Sequence, residues 1–519
     1  MTATLETPAV QPPDAAVPHY RMFIDGRWVD TAARYELVNP ATEELVATAA
    51  KGDVEHAEAA VAAAHRTYTD GVWRTTALER RAVIFEAVAD ALEARADELT
   101  TIGAREGGAP YALSMALNVG QPVSNLRYFA DLVRHCRFET AGPVAGPILM
   151  GGVVRREPLG VCAAIVPWNF PLSLAIWKVA PALAAGNSVV LKTDEKTPIG
   201  ALEFARELQA AGLPDGVLNV VTGDGEVVGD YLASHPQVRK VAFTGSTEVG
   251  KRVSEAAGRS NLKRVTLELG GKSANIVLDD ADMQKAVDGS IWAFLMHAGQ
   301  ACESGTRLLL PASVHDRFVR RLVERLKTVK LGDPLDMSTS LGPLISAQQR
   351  DRVLAYIDGA RREGATVACG GAAPDGFGKG FWVEPTVLTD VTNDMKVARE
   401  EIFGPVLCVI KYDTVEEAIG IANDSEYGLA AGVWSTDLDR AMDVGRQLEA
   451  GSVWINDWHM AHQDYPFGGY KQSGNGRELG AHALDEYTEL KSLQFSLEPD
   501  IAKRAFGLVL PTPAPVWDD

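Results

Sequence analysis

One thiol in this chain is set where a covalent reaction could reach it. Cys302 lies in Gly299-Gln300-Ala301-Cys302-Glu303-Ser304-Gly305-Thr306-Arg307, with apolar sequence before it (Ile291 to Met296) and after it (Leu308 to Leu310). Small neighbours let a substrate carbon approach sulfur, and a thiolate nucleophile splits a difficult reaction through a covalent intermediate. A free cysteine is also a common core residue, so the nonapeptide alone leaves both readings open. Other polar residues interrupt apolar runs. Asn169 stands within Pro167-Trp168-Asn169-Phe170-Pro171, Lys192 closes an apolar stretch with Glu195 three residues on, and Glu268 sits inside Val265-Thr266-Leu267-Glu268-Leu269. A carboxylate in such a run is costly unless paired or used. Each residue also has a plain reading: a turn residue for Asn169, a surface charge for Lys192, a strand edge for Glu268. Two glycine signals are weak by themselves. Gly223-Asp224-Gly225-Glu226-Val227-Val228-Gly229 is one residue off the dinucleotide fingerprint. Gly245-Ser246-Thr247-Glu248-Val249-Gly250 opens a helix whose N-terminus could hold a phosphate.

The elements that must position these residues alternate. Gly160 to Val166, Ser188 to Lys192, Val217 to Thr222 and Arg239 to Thr244 read as buried strands, with helices over Leu172 to Ala185 and Thr197 to Ala211. Continuous apolar strands alternating with helices predict a parallel, doubly wound α/β sheet, which binds ligands at the carboxyl ends of its strands. The polar residues above fall at those ends. A boundary is expected at Gly270-Gly271, and a second block follows: Ser273 to Leu278, strand Arg307 to Leu310, helices Val314 to Val329 and Ala347 to Glu363, strand Val406 to Lys411 and helix Thr414 to Asp424. The first third is largely helical, over Val54 to Ala64, Leu78 to Thr101 and much of Ala104 to Phe138. It is preceded by a Met22 to Trp28 hairpin turning at Asp25-Gly26. Gly151-Gly152, between Leu149 and Val153, signals a hairpin turn, and Tyr487 to Leu497 alternates as a half-exposed strand. Exposed edges of this kind invite pairing with a second copy.

The totals bound the function. With 519 residues the chain has room for two or three domains, and 46% hydrophobic with 23% charged residues is ordinary for a soluble globular protein. The formal net charge of -19 argues against nucleic acid and anionic membrane partners. Five scattered cysteines without metal-ligand spacing suggest reduced thiols, a cytoplasmic protein and no metal site. The first eighteen residues hold acids and several prolines and read as a loose tail, and no apolar run is long enough to span a membrane.

Assembled, these segments resemble the aldehyde dehydrogenase superfamily of the NAD(P)-dependent, CoA-independent, non-acylating type. The matching motifs are Pro167-Trp168-Asn169-Phe170-Pro171, Trp177-Lys178, Ala182 to Asn187, Phe243-Thr244-Gly245-Ser246, Leu267 to Lys272, Gly299-Gln300-Ala301-Cys302, Glu401-Ile402-Phe403-Gly404-Pro405 and Pro466 to Lys471, in family order. The resemblance implies a Rossmann-like cofactor domain (20–140 and 160–270) and an α/β catalytic domain (271–472). It also implies a bridging β oligomerisation element (141–159 and 486–498) through which dimers or tetramers form. That leaves a flexible tail over 1–19 and a C-terminal extension over 499–519, whose Trp517 could cap a substrate tunnel or belong to a loose end.

The resemblance also assigns roles. Cys302 would attack the aldehyde carbon, Asn169 and the Cys302 N–H would hold the oxyanion, and Glu268 would activate water against the thioester. Lys178 and Glu478 would relay a proton. NAD would lie against Ile165, Pro167, Trp168, Lys192, Glu195, Gly225, Gly245, Ser246, Val249, Leu269, Gln349, Glu401 and Phe403. Glu195 would accept from the adenosine ribose and repel a 2′-phosphate, giving NAD over NADP. Phe170, Trp177, Met296, Ala301, Glu303, Trp458 and Phe467 would shape the substrate pocket, and Asn456-Asp457-Trp458-His459-Met460 adds acid and aromatics to it. Glu303 departs from the family, where small or apolar residues are usual. An aromatic-walled tunnel with acids would favour aromatic, aliphatic or amino aldehydes over carboxylate-bearing semialdehydes. A CoA-acylating enzyme would lack the base at Glu268, and a non-catalytic structural relative would not need the Cys302, Glu268, Asn169 and Lys178 set.

Overall fold

The apolar run Val161–Ile165 is buried along its whole length because it is central in a parallel sheet. The structure, a computed structural model, describes residues 17–144 and 149–510. In the eight-stranded sheet the order is Gly474–Asn475, Arg264–Glu268, Val238–Thr244, Val161–Ile165, Ser188–Lys192, Leu218–Val221, Met22–Ile24 and Arg27–Val29. The strands from Arg264–Glu268 through Leu218–Val221 are mutually parallel. From Val161–Ile165 the chain first builds outward through Ser188–Lys192 and Leu218–Val221. It then crosses back to lay Val238–Thr244 on the other side. The carboxyl ends of Val161–Ile165 and Val238–Thr244 therefore flank the switch point, where such sheets open a crevice.

Helix Pro171–Ala185 is buried at every residue. Proline at its first position fits the free N-terminal turn, and Gly186 ends it in the left-handed conformation at φ 96°. It packs against Leu78–Ala94, Gln121–His135 and Ile199–Ala210. Each Leu, Ile or Val side chain taken fully out of water there contributes about 2 kcal/mol. Helices Val54–Thr69 and Thr247–Ser260 cover the opposite face through Ala57, Val61 and Val253. A second, seven-stranded sheet runs Thr366–Cys369, Thr386–Thr389, Val406–Tyr412, Arg307–Pro311, Ala274–Val277, Ala430–Trp434 and Ser452–Ile455, all parallel except the first. The chain then returns to the first sheet, and Gly474–Asn475 pairs antiparallel with Leu267 and Glu268. That return carries Phe467 and Glu478 back over the ends of the first sheet.

The Asp25-Gly26 hairpin forms as expected, with both turn residues at positive φ (52° and 73°). Three expectations need correction. Gly151 and Gly152 are not a turn. They lie inside strand Met150–Pro158, opposite Phe495 and Gln494, between Glu139–Val144 and Thr488–Ser496. A side chain at Gly151 would meet the Phe495 ring at 2.4 Å, so glycine there makes room for a cross-strand aromatic. The helix expected over Ala104 to Phe138 is broken. Gly108 turns left-handed (φ 76°), Pro110 follows, and a π turn over Met115–Gly120 precedes Gln121–His135. The expected N-terminal tail reaches too far, because His19 already pairs with Thr48 in a strand. The rest of that tail up to residue 16, and Trp517 with 511–519, lie outside the described residues. Among the described residues no helix is long and apolar enough to cross a membrane.

Candidate active site

The loop that carries Cys302 is held by its own backbone geometry. After helix Met283–Leu295, His297 (φ 51°), Ala298 (φ 56°) and Gly299 (φ 72°) are successively left-handed. Such conformations cost energy in non-glycine residues and persist only where the surroundings enforce them. Here Gln300 enforces them: its Nε2 donates to the His297 carbonyl oxygen (3.0 Å) and its Oε1 accepts from the Ile345 N–H (2.9 Å). A side chain at Gly299 would run into the Gly404 carbonyl oxygen at 2.2 Å. One at Gly271 would meet the Cys302 carbonyl oxygen at 2.3 Å, so the loop lies directly on the end of the Glu268 strand.

Cys302 faces a pocket with Asn169, Glu268 and Glu478 also on its wall. Asn169 is fixed by Nδ2 donating to the Gln300 carbonyl oxygen (2.9 Å), which leaves its second amide hydrogen unused. Glu268 is buried, and its Oε2 meets no partner among the described residues. Burial, then the nearby Glu478 charge, pushes its carboxyl well above the usual carboxylate range; Lys178 and Arg477 act in the opposite sense. Lys178, fully buried on helix Pro171–Ala185, donates to Thr244 Oγ1 (2.6 Å) and to Glu478 Oε1. Glu478 is itself fixed by paired backbone hydrogen bonds with Phe467 (2.7 Å each). Burial raises the Cys302 thiol well above its ordinary value, and the Glu303, Glu401 and Glu268 charges add to this. The resting sulfur is therefore an S–H.

Phe170, Trp177, Met296, Glu303 and Phe467 line the pocket, with the Trp177 and Phe467 rings 5.4 Å apart. Ala301 and Trp458 do not line it. Ala301 is buried within the loop. Trp458 is buried behind the wall, against Gly305 and Gly432, with its Nε1 donating to the Glu303 carbonyl oxygen (3.1 Å). Asp457 is exposed and caps its own turn by accepting from the Trp458 N–H. His459, from the expected Asn456 to Met460 segment, is on the wall, and so are Leu117, Gln121, Ser173, Leu174, Thr244 and Ala461, which were not expected there. Leu117 comes from the π turn and Gln121 opens the helix after it, a break that no residue spacing announces.

The residues expected to hold a dinucleotide gather at the carboxyl ends of the first sheet. Ile165 pairs with Lys192 across adjacent strands, and Pro167 and Trp168 follow. Lys192 is buried, and its closest carboxylate is Glu195 at 3.9 Å, so a buried ammonium is left for a ligand hydroxyl to satisfy. Lys196 also holds Glu195, at 2.9 Å. A side chain at Gly225 would have only the Lys192 Nζ nearby, at 3.9 Å. Gly245 precedes Ser246, which caps helix Thr247–Ser260 by accepting from the Val249 N–H (3.3 Å); the first helical N–H groups remain free for an anion. Leu269 packs where a side chain at Gly250 would stand. Glu401 accepts from the Gly271 N–H (3.1 Å), and burial pushes its carboxyl up to about 7. Gln349 Nε2 donates to the Phe403 carbonyl oxygen (2.8 Å), and Phe403 sits edge-on to Trp168 at 5.3 Å.

A cysteine, a side-chain amide and a buried carboxylate share one pocket beside the crevice of a parallel sheet, an arrangement suited to an oxidoreductase site. Residues 28–493 match the aldehyde dehydrogenase family. Rat aldehyde dehydrogenase 1A1 is 44% identical over 94% of this chain and 98% of its own. The NAD+ complex of a Bacillus cereus aldehyde dehydrogenase superposes with a TM-score of 0.89 at 41% identity, covering 92% of this chain and 97% of that one. A mutant of the P. syringae indole-3-acetaldehyde dehydrogenase AldA, complexed with NAD+ and IAA, gives 0.90 at 42% identity over 93% and 98%. The chain belongs to the aldehyde dehydrogenase family and is an oxidoreductase acting on the aldehyde group.

Proposed function

We propose that this protein oxidises an uncharged, largely apolar aldehyde to its carboxylic acid with NAD, through a thioester on Cys302. The carrying observation is the convergence of Cys302, Asn169 and Glu268 on one apolar-walled pocket. Sulfur bonds to the carbonyl carbon, and the displaced electron pair moves to oxygen. The Asn169 amide and the Cys302 N–H donate to that oxyanion; such donors contribute about 3 kcal/mol each to lowering the barrier. When bound, NAD supplies a hydride acceptor, and loss of hydride from the carbon leaves the thioester. Glu268 then takes a proton from water as the water oxygen attacks, the C–S bond breaks, and Lys178 with Glu478 carries the proton away. Retention of Glu268 favours this route over transfer to CoA.

Leu117, Phe170, Leu174, Trp177, Met296 and Phe467 give the pocket its apolar wall, and its charged groups facing the sulfur are acids. A substrate carboxylate would be left unpaired there. The likeness to an indole-3-acetaldehyde dehydrogenase supports an aromatic or aliphatic aldehyde. With benzaldehyde, hexanal, an aminoaldehyde and succinic semialdehyde, kcat/KM is expected to be about tenfold or more higher for the first two than for the semialdehyde. A clear preference for the semialdehyde would sink the reading.

Lys192, Glu195, Gly225, Ser246, Val249, Gln349, Glu401 and Phe403 would hold NAD, with Glu195 facing the adenosine ribose. A carboxylate there disfavours a 2′-phosphate, so Glu195→Ser should raise kcat/KM with NADP roughly tenfold. Unchanged NADP kinetics would refute the placement. The two parallel sheets serve as cofactor (20–140, 160–270) and catalytic (271–472) domains. The outer strand Thr488–Ser496 bares Leu490 (66% exposed) and Phe495 (52%) along an open edge, which supports a dimer or tetramer built on the 141–159 and 486–498 element. Five unpaired cysteines support a cytoplasmic location.

A further inference from the structure

Two polar residues on the pocket wall have no task in the chemistry above, yet one of them touches the reacting sulfur. Cys302 Sγ donates to Glu303 Oε2 at 3.3 Å, and Glu303 Oε1 faces His459 Nδ1 at 2.9 Å. His459 Nε2 points at the Ala293 carbonyl oxygen at 3.2 Å. A carbonyl oxygen only accepts, so Nε2 carries a hydrogen, and the Nδ1–Oε1 contact needs a second proton between ring and carboxyl. Sulfur, carboxylate and imidazole thus form one continuous hydrogen-bonded chain. Both side chains are buried, and the Trp292 and Trp454 rings, 5.2 and 6.2 Å from the imidazole, confine it. The Trp458 indole anchors the Glu303 backbone.

We propose that Glu303 is the base that takes the Cys302 proton as sulfur attacks the aldehyde, with His459 positioning that carboxylate. The proposal rests on Cys302 being the nucleophile. The S–H bond breaks as the S–C bond forms, and an O–H bond forms on Glu303 Oε2. Negative charge passes from Glu303 through sulfur to the aldehyde oxygen, where the Asn169 amide and the Cys302 N–H receive it. After hydrolysis the released thiolate recovers its proton from Glu303, so the resting state is restored.

The titratable groups around the thiol are Glu303, Glu401 and Glu268, and those facing Glu303 are Cys302 and His459. They separate the two candidate bases. Burial alone would raise Glu303, but the hydrogen bond and charge of His459 outweigh it and keep the carboxyl below its ordinary value. Glu303 is therefore an ionised acceptor at neutral pH. Burial and Glu478 drive Glu268 the other way, which suits a group that acts later on water.

If Glu303 were only a fixed charge beside sulfur, the expected sign would reverse. An idle anion disfavours the thiolate, so Glu303→Gln would speed alkylation of Cys302; loss of a base slows it. Iodoacetamide labelling of the full chain, mapped to Cys302 by peptide mass and followed from acidic to alkaline pH, distinguishes the two. The NADH burst with hexanal gives a second readout. Glu303→Gln is expected to slow labelling and burst about a hundredfold near neutrality, with the gap closing at high pH. His459→Gln should move the acid limb of the labelling profile to higher pH, because Glu303 loses the partner that opposes its burial. Equal or faster labelling in Glu303→Gln overturns the proposal, and an unmoved acid limb in His459→Gln removes His459 from it. NAD binding by calorimetry checks that each variant is folded; if Glu303→Gln is not, the His459→Gln limb decides. A wild-type protein that still makes NADH after complete Cys302 labelling would refute the nucleophile itself, a separate result.

Discussion

Replacing Cys302 with alanine is expected to lower NADH formation from every aldehyde on the order of 10⁴-fold or more, with NAD binding retained. The size follows from the loss of the covalent route: without sulfur no thioester forms, and the remaining groups only polarise a carbonyl. The four other cysteines should not share the effect. Cys162 lies inside the central strand Val161–Ile165 and Cys408 inside Val406–Tyr412, both buried. Cys136 follows helix Gln121–His135 and Cys369 ends an edge strand, and neither borders the pocket. Stopped-flow absorbance with hexanal, beside calorimetry with NAD, checks the prediction. Activity within tenfold of wild type would remove Cys302 from the chemistry.

Much of the frame was legible because it depends on patterns the sequence carries locally. Val161–Ile165 is an unbroken apolar run, and Val189–Leu191 and Val241–Phe243 are the apolar centres of its neighbours, as strands covered on both faces require. Asn169, Lys192 and Glu268 stood out because each polar residue lay at the end of such a run. What could not be read depends on residues far apart in the chain. Gly151 looks like a turn until Phe495, more than three hundred residues away, is seen to need its space. Trp458 lies in a polar-aromatic segment that any reading would place on the pocket wall. It sits behind that wall because Gly305 and Gly432 leave a slot for the indole. Leu117 reaches the pocket from a π turn and Gln121 from the start of the helix that follows it; the extra residue per turn re-aims these side chains without a sequence signature.

Glu303 shows the same limit at the reacting atom. In the sequence it is an unexplained acid after the nucleophile, and a substrate-selecting charge is a natural reading. Its partner His459 is 156 residues on, so the pairing that keeps the carboxylate ionised has no local trace. Two buried carboxylates near one sulfur would ordinarily titrate alike. Here His459 on one side and Glu478 on the other drive them apart, which is how neighbouring acids come to hold different tasks.

That division gives Glu268 a distinct signature. Glu268→Gln should leave formation of the first NADH nearly intact and stop the cycle at the thioester. The expected trace is a burst of about one NADH per active subunit, followed by a steady rate roughly 10³-fold below wild type. Wild-type deacylation should rise with pH, because the base works only when ionised and burial holds its carboxyl well above the ordinary range. The variant should lose that rise. Stability should move in the opposite sense. A carboxyl whose folded value is raised stabilises the fold fully below its unfolded value, and that contribution is lost as pH climbs through the folded one. A neutral amide avoids this loss, so Glu268→Gln should melt no lower than wild type at neutral and alkaline pH, with the two curves converging in acid. A variant that lost the burst together with the steady rate would assign Glu268 to attack on the aldehyde. It would then leave the thioester without its base.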